Sequence, residues 1–362
     1  MSEQVTKTVV VIGGSGYVGE MLCDQLNARP DVATIVSLDK EPQSDFSKAL
    51  QKVIHIQHNM ADEGWEDTVG SYDPDIVIHT AWQIRAMYGD ADEQWRWNVG
   101  GSDKVFDFAF TQPSIKKLIY FSTASSYSAR ADNRFEHLFT EDEGFRDDDY
   151  IYAHEKKVTE EHLKEKFDAL KEAGQELPQV TIVRPAAVTG PRGRYMRIRF
   201  GLQSALQGNL KGGFVNRLVT TLTSFVPATK GWVRQFVHED DVNDAIFTFA
   251  FTDMDWEYNV FNLTPVSEPV YAKDMAEAVG KKVLPIQPWM ARFAFFFFWH
   301  ATRGRIPTCP GSWRFYSYPL LMSGVKLARI YTCQYTSKDA FRYTDGRYES
   351  YVPETHRRSK AQ

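Results

Sequence analysis

Thr8-Val-Val-Val-Ile-Gly-Gly-Ser-Gly-Tyr-Val-Gly19 is the stretch on which the reading of this chain turns. Thr8 to Ile12 are β-branched without a break, as suits a parallel strand buried on both faces. Glycines follow, then helical spacing from about Tyr17 to Ala28, stopped near Pro30. Two glycine registers fit the turn, Gly14-x-Gly16-x-x-Gly19 and Gly13-x-x-Gly16-x-x-Gly19. Both place side-chain-free backbone where a pyrophosphate would approach a helix N-terminus, whose amides and dipole favour an anion. A tight strand–helix turn could need glycines for steric reasons alone, so the context matters. Here a second apolar run, Ala33 to Leu38, ends at Asp39, twenty residues after Gly19. A carboxylate at that place can bind both ribose hydroxyls and repels a 2′-phosphate, which points to NAD rather than NADP. The adjacent Lys40 pulls the other way.

The same rhythm continues outward. Val53 to Ile56 and Asp75 to Ile78 read as third and fourth strands, and Lys117 to Phe121 and Val180 to Val183 as the fifth and sixth. Between them, about Asp92 to Phe110 and Tyr150 to Lys171 carry helical spacing. Strands alternating with helices predict an α/β domain with a right-handed, mostly parallel sheet. After Pro185 the rhythm breaks. Gly, Arg and Pro cluster between Gly190 and Gly213, an uncharged stretch runs from Leu218 to Thr229, and a helix is expected up to about Phe251.

At 362 residues the chain suits a large domain with a smaller one attached. A net charge of −5 argues against a nucleic-acid partner. Cys23, Cys309 and Cys333 are widely separated and lack metal-ligand spacing, so they read as free thiols in a reducing compartment, with no metal site. The N-terminus runs into a strand without a signal-peptide core, and a cytoplasmic location is expected.

The chemistry lies in Tyr152-Ala-His-Glu-Lys156, about thirty residues after Ser122-Thr-Ala-Ser-Ser-Tyr127. A phenol and an ammonium four residues apart share one helix face. A free tyrosine has a pKa of about 10, too high for proton exchange at neutral pH. A neighbouring cation lowers it and makes the phenol a usable general acid/base. Lys157 is five residues on and points off that face. A merely solvated charged helix is the plainer reading, but the order of glycine turn, hydroxyl cluster and Tyr-x-x-x-Lys speaks against it.

With these features together, the chain resembles an extended short-chain dehydrogenase/reductase, the NAD-dependent epimerase/dehydratase superfamily, over roughly residues 7 to 280. Gly13, Gly16 and Gly19, with Tyr17 and Val18, match its glycine turn. Asn59-Met60 stands where the family has an aspartate and an apolar residue against the adenine. Ile78-His-Thr-Ala81 resembles the fourth-strand segment beside the cofactor. Asn98 resembles the helix asparagine that braces the active site, and Arg184-Pro185 opens the loop near the nicotinamide. The resemblance implies that Thr123, with Ser122 as the fallback, would hold the substrate oxygen. Tyr152 would exchange its proton, and Lys156 would hold the nicotinamide ribose while depressing the Tyr152 pKa. It also implies a Rossmann-type doubly wound parallel sheet over 1–185 and a small C-terminal substrate-binding region over 186–362, with 231–254 returning to the core. A homodimer through the long helices is the family's habit.

Substrate clues conflict. Arg234-Gln-Phe-Val-His resembles a stretch of nucleotide-sugar members in which the arginine contacts a diphosphate, but Gln235 departs from it. Ala124-Ser125 stands where dehydratases carry an Asp-Glu pair, so no acid is available to expel water. Phe293 to Trp299 is uncharged and too short to span a bilayer; it reads as a core or lid helix, an apolar pocket wall, or an interfacial membrane contact over 289–305. The aromatic tail loosely resembles members acting on apolar alcohols. The expected function is NAD-dependent hydride transfer at a secondary alcohol or ketone of a small, apolar or hydroxylated molecule. A nucleotide-sugar epimerase is the alternative, and a non-catalytic NAD(H)-binding sensor the third reading.

Overall fold

A computed structural model describes residues 6–146, 149–193, 225–278, 280–342 and 345–351. Its centre is a seven-stranded sheet containing β1 (Lys7–Ile12), β2 (Val32–Asp39), β3 (Val53–Gln57), β4 (Ile76–His79), β5 (Lys117–Phe121) and β6 (Gln179–Pro185). The strand order is Tyr258–Leu263, β6, β5, β4, β1, β2, β3. All five pairings from β6 to β3 are parallel, and β1 meets β2 and β4 along Val9 to Ile12. Val9, Val10, Val11 and Ile12 are all fully buried, which is why that run shows no alternation. β3, at the sheet edge, alternates only loosely and keeps Ile54 exposed.

This is the Rossmann-type sheet the sequence predicts. Its strand order reverses between β1 and β4, and such a switch opens a ligand crevice at the carboxyl ends of the strands. The Gly13–Gly19 turn leaves β1 at that end and leads into α1 (Tyr17–Ala28). Trp65, Phe106, Phe108 and Tyr120 fill one side of the core, with Trp65 and Phe108 edge to face at 5.1 Å.

The helix expected over Asp92 to Phe110 is not continuous. Ala91–Trp95 and Gly101–Thr111 are α-helical, and Arg96–Gly100 between them is a π-turn. Such a wide turn re-aims its side chains and is frequent at functional sites.

Cα packing divides the chain into two units. One holds Met1–Thr123, Glu155–Arg184 and Asn243–Phe261; the other holds Ala124–His154, Pro185–Val242 and Asn262–Gln362. The second unit contains short two-stranded pairings, Ala187–Thr189 with Phe236–His238, Val233–Arg234 with Val270–Tyr271, and Phe225–Ala228 with Lys282–Pro285. Trp232, Phe236, Val270 and Ala340 form its small core. Of the Gly190–Gly213 cluster and the Leu218–Thr229 stretch, residues 194–224 lie outside the described residues.

Candidate active site

The glycine turn is built by contacts that allow no side chain. Gly13 has φ +89°, and a Cβ there would lie 2.5 Å from the Ala81 nitrogen. A Cβ on Gly14 would lie 2.1 Å from Ser37 Oγ, and one on Gly19 would lie 2.0 Å from the Gly13 carbonyl. Gly16 differs: it is exposed and its Cβ would meet only the Gly13 oxygen, at 3.1 Å. That open face is where an anion can approach the N-terminus of α1. β4 closes the other wall, since the Thr80 and Ala81 amides both donate to the Ile12 carbonyl at 2.9 Å.

These elements enclose a cavity of about 310 Å³. Gly13, Gly16, Tyr17, Val18 and Gly19 form its floor, and Asp39 with Lys40 its β2 end. Asn59, Met60, Ala81 and Asn98 also line it. The sequence-predicted cofactor residues of the first unit thus converge there, save Lys156, whose ammonium sits against the ring of Trp82, itself a lining residue.

Asp39 accepts from the Ser15 amide at 3.0 Å and the Glu41 amide at 2.9 Å, so it already braces the turn. Burial raises its pKa, and these two amides oppose the rise. Lys40 is held elsewhere, its ammonium 3.7 Å from the Trp97 ring centroid and 3.9 Å from Glu41. A 2′-phosphate would therefore meet a half-buried carboxylate and an occupied lysine. NAD(H) is expected to bind more tightly than NADP(H) in fluorescence titrations of both. Equal binding would shift the weight from Asp39 to Lys40.

Asn59 Oδ1 accepts from the Ala61 amide at 3.0 Å, which shapes the turn after β3. Asn98 stands in the π-turn and is fully buried. Its Oδ1 accepts from the Gln83 amide at 2.7 Å, and its Nδ2 donates to the Gln83 carbonyl at 3.1 Å and to Glu155 at 2.7 Å.

Glu155 is a residue the sequence reading passed over. It is fully buried and also accepts from Gln94 Nε2 at 3.1 Å on both oxygens. Burial raises its pKa, with Asn98 and Gln94 opposing. A glutamate in a charged helix looks solvated in sequence, and nothing local marks it otherwise.

Lys156, next along the helix Ile151–Glu172, is buried too. It donates to the Phe121 carbonyl, and its ammonium sits 3.6 Å from the Trp82 ring centroid and 4.7 Å from that of Tyr120. Burial pushes its pKa well below the ordinary lysine value, against the pull of Glu160 and Glu155. Glu160 is itself paired with the buried Arg184, whose Nε donates at 3.1 Å. Lys157, by contrast, pairs with Glu161 at 3.8 Å.

Thr123 and Ser122 follow β5 and are both buried; the Ser122 amide donates to the Val183 carbonyl at 2.8 Å. Tyr152 stands one turn before Lys156 on the same helix, partly exposed, with its ring 5.7 Å from that of Tyr150. Pro185 closes β6.

Residues 9–264 match the model of the NAD dependent epimerase/dehydratase family. The chain belongs to that family. NAD is accordingly its cofactor, and the glycine cradle, the carboxylate at the end of β2 and the open Gly16 face fit it. Solved structures of similar fold include Bordetella bronchiseptica WbmG with NAD, 18% identical, TM-score 0.63, covering 94% of this chain and 93% of that one. UDP-glucose 4-epimerase of Thermus thermophilus with NAD is likewise 18% identical at TM-score 0.63, with 92% and 96% covered. MoeE5 with UDP-glucuronic acid and NAD is 17% identical at TM-score 0.61, with the same coverage.

In the second unit, Arg234 Nη2 donates to the Phe315 carbonyl at 3.0 Å, and its guanidinium lies 5.0 Å from the Tyr316 ring centroid. Gln235 is buried and bonded both ways to the Met322 backbone, donating at 2.9 Å and accepting at 2.7 Å. The departure at Gln235 is thus a structural clasp. No described helix is long and apolar enough to cross a bilayer.

Proposed function

We propose that this family member catalyses NAD-dependent hydride transfer at a secondary alcohol or ketone of a small, apolar or hydroxylated substrate. The cofactor, when bound, would accept the hydride of an alcohol as NAD or donate one to a ketone as NADH. The chain's own residues do the rest. Thr123 holds the substrate oxygen, Tyr152 takes or returns its proton, and Lys156 holds the nicotinamide ribose and keeps the Tyr152 phenolate accessible near neutral pH. Asn98, Gln94 and Glu155 position the helix segment that carries Lys156.

The observation that carries the choice of substrate class is Arg234. Its guanidinium is engaged by the Phe315 carbonyl and the Tyr316 ring, and its neighbour Gln235 is tied to Met322. One of the five guanidinium donors is thus committed to the Phe315 carbonyl, which leaves fewer for a bidentate diphosphate clamp. Nucleotide-sugar epimerisation is the second reading, favoured by the UDP-glucuronic acid in the MoeE5 complex.

Arg234→Ala separates the two. Under the first reading it leaves the apparent affinity for substrate within about threefold and costs about 1 kcal/mol of stability through the lost hydrogen bond. Under the second it removes a charge-assisted contact of roughly 1.5–3 kcal/mol, a loss of about 10–100-fold. Turnover should be measured with NAD for secondary alcohols and UDP-sugars and with NADH for cyclic ketones. A large affinity loss confined to the UDP-sugars would replace the proposal with the second reading.

A further inference from the structure

The helix Pro288–Ala301 turns its aromatic residues outward. Trp289 is 68% exposed, Phe293 67%, Phe296 64% and Phe297 54%. At helical spacing these residues fall on one face, and the exposed His300 continues it. The opposite face is anchored: Ala291 and Trp299 are buried, and Phe295 packs against Tyr316 with centroids 5.0 Å apart. The run is therefore not a core helix, since five of its seven aromatic side chains, all but Phe295 and Trp299, are exposed.

The sequence around the helix is one-sided in charge, although Arg314 pairs with Asp149 and Lys338 with Glu268. Between Glu277 and Asp339 the chain has no Asp or Glu, while Lys281, Lys282, Arg292, Arg303, Arg305, Arg314, Lys326, Arg329 and Lys338 all fall in that span. The overall net charge is −5, so this span opposes the sign of the whole molecule. Lys282, Arg292, Arg303 and Arg305 are exposed. At 14 residues the helix is about 21 Å long, too short to span a bilayer. Aromatic side chains on one face with cations at the flanks fit the headgroup region of an anionic bilayer, where the rings enter the acyl boundary and the cations meet lipid phosphates.

We infer that Pro288–Ala301 is an in-plane membrane-docking helix that seats the protein on an anionic lipid surface. The seat lies on the second unit.

The full-length protein is tested by flotation with phosphatidylcholine vesicles containing about a third phosphatidylglycerol, against pure phosphatidylcholine, at low and at about 0.5 M salt. Preferential binding to the anionic vesicles, weakened by salt, is expected. Combined Trp289→Ser, Phe293→Ser and Phe297→Ser should lower partitioning by about 100-fold or more, because three exposed ring contacts are lost. Arg303→Glu with Arg305→Glu should lower it by at least roughly 30-fold and flatten the salt dependence. NAD binding checks the fold of each variant, and the charge-reversed pair keeps the test open if the triple variant does not fold. Failure of the wild type to float with anionic vesicles overturns the inference. So does unchanged binding by a folded triple variant, or a self-associated protein that the triple variant converts to monomer with no lipid binding in either form; that last result would make the face a protein interface.

Discussion

Tyr152→Phe should lower turnover by about 10²–10⁴-fold while NAD affinity stays nearly unchanged. The substitution removes one hydroxyl and little volume, so the helix Ile151–Glu172 keeps its packing. What is lost is the only group proposed to exchange a proton with the substrate oxygen. Single-turnover measurements with saturating NAD separate this from a binding defect. More than about a tenth of the activity remaining would place the proton relay elsewhere, since even the low end of the general acid/base contribution is 100-fold.

Lys156→Ala should damage both turnover and cofactor affinity, because one ammonium serves both. On the proposed role its loss removes charge-assisted hydrogen bonds to the ribose, roughly 1.5–3 kcal/mol and so about 10–100-fold in NAD affinity. Turnover should drop further, since the proposed lowering of the Tyr152 pKa by Lys156 is lost as well. Lys156→Met keeps the chain length under Trp82 and controls for the cavity left by alanine. There is also a pH signature. Burial lowers the Lys156 pKa in the free protein, so its charge is complete below that lowered value and lost as pH rises through it. NAD affinity should weaken over the same interval, and Lys156→Met should flatten that dependence. An unchanged NAD titration curve in either variant would remove Lys156 from the cofactor site.

The sheet was legible because its signals are local. A parallel strand buried on both faces must be a continuous apolar run, and Val9 to Ile12 can be read as one without knowing a neighbour. The glycine turn is equally local, since Gly13, Gly14 and Gly19 exclude side chains at distances set within the turn and by the strands beside it. Asp39 ends a strand at a fixed distance from that turn, which is why its place beside Ser15 could be anticipated.

Other features needed the fold. Glu155 looks like any glutamate on a charged helix, and only Gln94 and Asn98, 61 and 57 residues away, turn it into a buried acceptor. The π-turn at Arg96–Gly100 left no trace in the helical spacing. Arg234 resembles a diphosphate contact in sequence, and its bond to the Phe315 carbonyl, 81 residues on, is not visible there. The aromatic run from Phe293 to Trp299 has the composition of a core, and which rings face outward depends on how Ala291, Phe295 and Trp299 are anchored.

The sequence by itself therefore determined the strand–turn–helix fold, the family and the cofactor cradle, because those depend on backbone freedom and continuous apolar runs that each residue type declares locally. Tertiary structure alone decided which charges are buried, which cation is already engaged and which aromatic face meets solvent, because burial is a property of distant partners and no residue type carries it in advance.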